Sequence, residues 1–330
     1  MTPTKHLLHI AAVAAVATTG VARAATYDQT TFAPATTDWN GPAIWGNNDV
    51  TPGNDYQMGP DPARIASNTP IETTFTISFG GVTTPWPVYG QVRDHGGTGL
   101  PTTNSTFNGD HLLIAGQTRF ISKARNTTST ANFVLQDGGM MFLTPGGSSA
   151  DGPGTGTWDG TIVTSGTTLI GLEATANTNI TTLDIVAPIS GSDTLILTGK
   201  GGQTGFLNLK GDLSGFTGTF LLTPAVGKSG TPLVFSITSD ASFATLQLDI
   251  ESPLFLYDLG DGAVSFGSLI VGETTLGAGT YDADWLNANF GDGSQFMGGG
   301  SITVVPEPQT IALLTAALLA GVAFRRRPAA

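Results

Sequence analysis

The 330-residue chain contains no cysteine. A disulfide framework, a thiol nucleophile and a thiolate metal site are therefore all excluded. Histidine is nearly as scarce, since only His95 and His111 lie away from the chain start. Two imidazoles cannot build a multi-histidine zinc site. Charge is also sparse, at 12% of residues, and one-sided: 13 Lys and Arg face 25 Asp and Glu, a net charge of −12. Such a surface repels phosphate backbones and anionic polysaccharides, so no nucleic-acid partner is expected. Gly-x-Ser-x-Gly, the full phosphate-binding Gly-x-x-x-x-Gly-Lys-Ser/Thr loop and His-Glu-x-x-His are all missing, which removes three common catalytic motifs. Capped helical periodicity is nearly absent from the interior, where Asp282 to Phe290 is the single short candidate.

The two ends differ from the rest. At the start, Lys5 precedes the mostly apolar run Leu7 to Ala17, and Ala22-Arg23-Ala24 supplies small residues for cleavage before Ala25. That is the layout of a secretory signal peptide over residues 1–24, read by the secretory translocon. At the other end stand Pro306-Glu307-Pro308, an uncharged apolar run from Thr310 to Phe324, and Arg325-Arg326-Arg327. Proline lacks an N–H and biases its predecessor toward extended backbone, so the Pro-Glu-Pro element is expected to be an accessible extended peptide. The run favours helix. At about 1.5 Å per residue it spans only roughly 22 Å of a roughly 30 Å hydrocarbon core, which makes it a marginal permanent anchor. The arginines would remain cytoplasmic, leaving everything before Pro306 outside.

This ordered trio resembles the PEP-CTERM sorting signal of bacterial surface and exopolysaccharide-associated proteins. The resemblance covers residues 306–330. It implies that Pro306, Glu307 and Pro308 are recognised by an exosortase-like membrane transpeptidase while the helix 310–324 and the arginines hold the substrate in the membrane. These residues are then acted upon and carry no catalysis of their own. The implied route is export, transient anchoring in the inner membrane, and display at the cell surface or in an exopolysaccharide-bearing matrix.

Without the two terminal segments the chain keeps 8 basic and 24 acidic residues, a net charge near −16. Over the whole 330-residue chain glycine reaches 45 residues and hydrophobic residues 40%, a balance that suits short strands joined by tight turns rather than disorder. Period-two alternation recurs at Thr73 to Phe79, His111 to Ala115, Phe133 to Gln136, Thr181 to Val186, Thr245 to Ile250 and Ser301 to Val305, among others. From Ile189 to Pro224 it tightens into an imperfect repeat in which Leu195, Leu207 and Phe220 open strands about a dozen residues apart. That spacing fits either two sides of a solenoid coil or successive sandwich strands. The phrase from Gly205 to Thr219, a leucine-rich strand followed by a small-residue turn and a Phe-Thr-Gly corner, resembles the autotransporter-associated β-strand repeat. That likeness implies a right-handed parallel β-helix. The expected fold is thus all-β, a β-solenoid with a β-sandwich as the alternative. The expected divisions are signal peptide 1–24, N-terminal β cap 25–104, solenoid 105–305 and sorting signal 306–330.

Candidate chemistry is thin. Arg93-Asp94-His95 is the one place where cation, acid and base crowd together, and His111 follows Asp110; a structural role is the expectation for both. Acidic turns at Asp258 to Gly262, Asp282 to Asp284 and Gly291 to Gly293 make calcium the only candidate ion, although none matches a calcium-loop motif. Aspartate also favours such turns because it bonds its own backbone. Trp39, Trp45 and Trp86 are candidate carbohydrate contacts, since an indole face stacks on a sugar ring. The expected function is that of an exported, non-enzymatic surface or matrix protein. A polysaccharide lyase or hydrolase, or a carbohydrate-binding protein, are the alternatives.

Overall fold

In the computed structural model the described residues are 25–305, less 30–37, 69, 71, 80–81, 95–102, 124, 145–153, 175–180, 202–203, 224, 226–231 and 292. The signal segment 1–24 and the tail 306–330 lie outside them.

Alternation at period two sends every second side chain to one face of a strand, and the chain exploits this in two sheets that it visits in turn. His111–Ala115 lies in the first sheet, Thr118–Ser122 in the second, Thr127–Gln136 in the first again and Met140–Leu143 in the second. Pairing within the two sheets is parallel apart from two short strands near the C-terminal end. The result is a β-solenoid of about seven turns. Parallel ladders set aside the sandwich alternative, which is built of antiparallel sheets. Thr194–Gly201 pairs with Thr219–Leu222, while Gly205–Leu209 between them in sequence belongs to the opposite sheet. The dozen-residue spacing is therefore half a coil. Glycine is required at the corners of this repeat: a Cβ at Gly211 would stand 2.1 Å from the Ala187 carbonyl oxygen, and one at Gly218 would stand 1.8 Å from that of Asp193.

Stacked coils bring like residues into register. In the second sheet Val92, Phe120, Met141, Ile170, Leu197, Leu222, Leu248 and Val271 follow one another in a single inward column, and all are buried. Each such side chain contributes about 1.5–3 kcal/mol by leaving water. Facing them are Tyr56, Leu112, Phe133, Ile162 and Ile189 of the first sheet. The corners are tied by polar side chains that bond the backbone of a neighbouring coil. Asp193 accepts from the Gly166 N–H at 2.9 Å, Asp240 from Ser265 at 2.7 Å, and Asn104 from Thr128 at 2.9 Å.

Part of the second sheet is covered on its outer face as well. The antiparallel hairpin of Glu72–Phe79 and Val82–Val88 packs there, placing Ile77 and Val88 against Met140, Phe142, Leu169 and Ile196. That second cover explains why Met140–Leu143 is buried at every position and reads as an unbroken apolar run. Arg119 is sealed under the same cover. Its guanidinium donates to Gln91 Oε1 at 2.8 Å, stands 3.5 Å from Glu173 Oε2, and lies 5.9 Å from the centre of the Phe142 ring.

Asp55–Met58 pairs with His111–Ala115, and Gly90–Arg93 with Thr118–Ser122, so both ladders run across the expected 104/105 division without a break. Capping devices stand at the two ends, as solenoids require to block edge pairing. At one end Trp39 and Trp45 close the core over Tyr56 and Phe107. At the other sits the helix Ala283–Asn289, where the sequence expectation placed one; Asp282 caps it by accepting from the Trp285 N–H, and Leu286 is buried.

Candidate functional site

The C-terminal segment continues directly from the last coil. Strand Ser301–Val304 lies between Ala263–Val271, to which it is parallel, and Gly279–Asp282, to which it is antiparallel. Period-two alternation buries Ile302 and Val304, while the Thr303 hydroxyl stands 3.1 Å from that of Thr280. The next residue, Val305, still donates its N–H to the Phe266 carbonyl at 2.8 Å, but its side chain is 39% exposed. Pro306 then brings no N–H with which to make a further ladder bond. At the opposite end the Ala25 carbonyl accepts from the Asp55 N–H at 2.9 Å. Backbone pairing thus involves residues directly adjoining both expected targeting segments. Ala22, Ala24, Pro306, Glu307, Pro308, Arg325, Arg326 and Arg327 themselves lie outside the described residues. Among the described residues no helix is long and apolar enough to cross a membrane.

Two of the three candidate carbohydrate contacts need correction. Trp39 is fully buried and Trp45 is 1% exposed. Trp39 stacks on Phe120 at 5.2 Å, and Trp45 meets Tyr56 edge-on at 5.2 Å. Neither indole offers a face to solvent, so both are core residues. Trp86 differs. It is only half-buried beside the apolar cluster under the hairpin, and it lines an outer groove together with Gln117 and Asp137.

Of the candidate acid–base trio, Asp94 has a structural occupation. Asp94 is 1% exposed, and its Oδ2 accepts from the hydroxyls of Ser122 and Ser129, each at 2.6 Å. The Ser105 hydroxyl donates to its carbonyl at 2.6 Å, and the Lys123 N–H reaches Oδ1 at 3.3 Å. A carboxylate bonded in this way holds a coil corner together. Burial lowers the pKa of the neighbouring Lys123 ammonium, with the Arg93 charge acting in the same direction and Asp94 opposing it. His95 lies outside the described residues. His111 bonds Asp55 through Nδ1 at 2.8 Å, while Asp110 accepts from the Gly53 N–H at 2.6 Å. The acidic turns behave similarly: Asp258 accepts from the Gly260 N–H at 2.9 Å, and Asp282 caps its helix. Among the described residues no three metal-ligating side chains converge.

Sequence reasoning singled out Trp86 but passed over the Arg119 network and the corners that complete the groove. The prior signals for these were an isolated basic residue in an apolar strand and two turn dipeptides, Gly116-Gln117 and Asp137-Gly138.

No curated protein and no solved structure matches the chain. Residues 304–327 match the PEP-CTERM protein-sorting motif. The match begins at Val304, inside the last strand of the solenoid and buried in its core. The chain therefore carries a PEP-CTERM sorting motif joined without a spacer to a β-solenoid.

Proposed function

We propose that the protein is a non-enzymatic β-solenoid that is exported, processed at Pro306-Glu307-Pro308 by an exosortase-type membrane protease, and displayed at the cell surface or in the extracellular matrix. The observation that carries this reading is the sorting motif at 304–327 on the end of the last coil. Residues 1–24 serve as the signal peptide for the secretory translocon. The run 310–324 with Arg325 to Arg327 serves as a temporary membrane handle. The coil takes the right-handed sense that parallel crossovers strongly favour. A scaffold role, without catalysis, draws support from the occupation of Asp94 by serine hydroxyls and from the use of acidic side chains to cap turns and corners.

Replacing Pro306, Glu307 and Pro308 together by alanine tests the reading. The altered protein should accumulate in the inner-membrane fraction while its exported part keeps the circular dichroism of the parent. Normal release or display of the altered protein would overturn it.

A further inference from the structure

We propose that the groove between the hairpin and the coil corners is a binding site for a neutral saccharide. The groove has a volume of about 440 Å³, ample for one or two sugar rings. One wall is apolar and includes the half-buried indole of Trp86, with Pro85 and Pro60 beside it and Ile65 from the helix Pro62–Ser67. Ile65 is 47% exposed. The opposite wall is polar. It consists of stacked corners of successive coils, Gly116-Gln117 and Asp137-Gly138, with the Asp137 carboxylate packed over Gly166 of the next corner.

Those corners are held rigidly. The Gly116 N–H donates to the Asp137 carbonyl at 3.0 Å, the Asp137 N–H to that of Ser165 at 3.1 Å, and the Gly138 N–H to that of Thr167 at 2.8 Å. Gln117 and Asp137 both adopt positive φ, at 60° and 20°, a conformation that non-glycine residues seldom take and that often marks a ligand clamp. Both side chains are exposed.

A pyranose ring has an apolar C–H face and a rim of hydroxyls. The indole and prolines suit the face; the carboxylate accepts hydroxyl protons, and the amide both donates and accepts. The lining holds an acidic side chain and no basic one, so it disfavours uronate and other anionic sugars. Placement of the site on hydrogen-bonded scaffold corners keeps its polar groups in position before binding.

The test is calorimetric titration of the purified full-length protein in detergent. The probes are the hexasaccharides of β-1,4-glucose, α-1,4-glucose, β-1,4-mannose and β-1,4-N-acetylglucosamine, with hexagalacturonate as the anionic comparison. At least one neutral hexasaccharide should bind saturably and hexagalacturonate should not. Trp86→Ala should weaken binding by about tenfold or more. Asp137→Ala, at an exposed corner whose backbone bonds it preserves, should weaken it by a smaller factor. Trp285→Ala, on the exposed face of the distant capping helix, should leave it unchanged. The proposal is overturned if no neutral hexasaccharide binds, if Trp86→Ala and Asp137→Ala both bind like the parent, or if hexagalacturonate binds best. The readout is direct binding, so its failure would leave the sorting proposal standing.

Discussion

Replacing Trp39 by alanine distinguishes a core plug from a surface platform. The indole is fully buried and touches three rings, with centroid distances of 5.6 Å to Phe107, 5.2 Å to Phe120 and 6.2 Å to Phe133. Truncation of so large a buried side chain costs about 3–5 kcal/mol. In a solenoid each coil rests only on its neighbours, so the loss should concentrate in the first coils. One factor of ten corresponds to about 1.4 kcal/mol. Amides of Leu112 to Ile114, Phe120 and Phe133 to Leu135 should therefore exchange hydrogen roughly a hundred- to several-thousandfold faster, while those of Leu269 to Val271 keep their protection. Hydrogen exchange read by mass spectrometry resolves the two regions. Trp39→Phe should be milder, because it keeps an aromatic ring in place and removes a buried indole N–H that has no partner among the described residues. Unchanged protection in the first coils of Trp39→Ala, or an equal loss along the whole chain, would refute the reasoning.

Gly300→Ala places a Cβ 2.2 Å from the Leu259 carbonyl oxygen and 2.3 Å from that of Gly262. Backbone atoms cannot yield as a side-chain tip would, so exchange at Ile302 to Val304 should quicken with little change in the first coils. Glu173→Gln keeps the shape but removes the charge facing the buried Arg119; a loss of about 1–3 kcal/mol is expected in urea unfolding, moderated because Gln91 still accepts from the guanidinium. Tyr257 is buried, its hydroxyl donates to the Asp249 carbonyl, and desolvation first and the Asp249 charge second raise its pKa well above the ordinary 10.0. The folded state therefore holds this proton more tightly than the unfolded chain does. Its contribution is complete below pH 10.0 and is lost as pH rises through the folded value. Urea midpoints across pH 8–11 should fall at the alkaline end, and should fall less for Tyr257→Phe, which starts lower for want of the hydrogen bond.

Much of the scaffold was legible before the structure. His111 to Ala115 alternates cleanly and is a strand over those residues, and the half-coil spacing of Leu195, Leu207 and Phe220 reports the two sheets. The helix after Asp282 was signalled by its cap. The helix Pro62–Ser67 was not foreseen: Asp61 and Pro62 form a proper start, but six residues are too few to show a periodic apolar face. Nor was the covering hairpin, because alternation says that a strand has two faces and not which distant segment lies on each. Trp39 and Trp45 show the limit most plainly. An indole serves equally as sugar platform or core plug, and only its neighbours in space decide between them. Asp94 repeats the lesson, since its serine partners come from positions 122 and 129 and no local pattern joins them.

The central claim is that the chain is a sorting substrate whose motif follows directly on the last strand of its solenoid. Intact mass of the protein recovered from cells with and without the sorting protease tests it most directly. With the protease, the mass should correspond to a chain beginning at Ala25 and lacking the segment Thr310 to Ala330, plus any group transferred to the new end. Without it, that segment should remain on a membrane-bound protein. Recovery of the same mass, with the segment intact, from both kinds of cell would contradict the account.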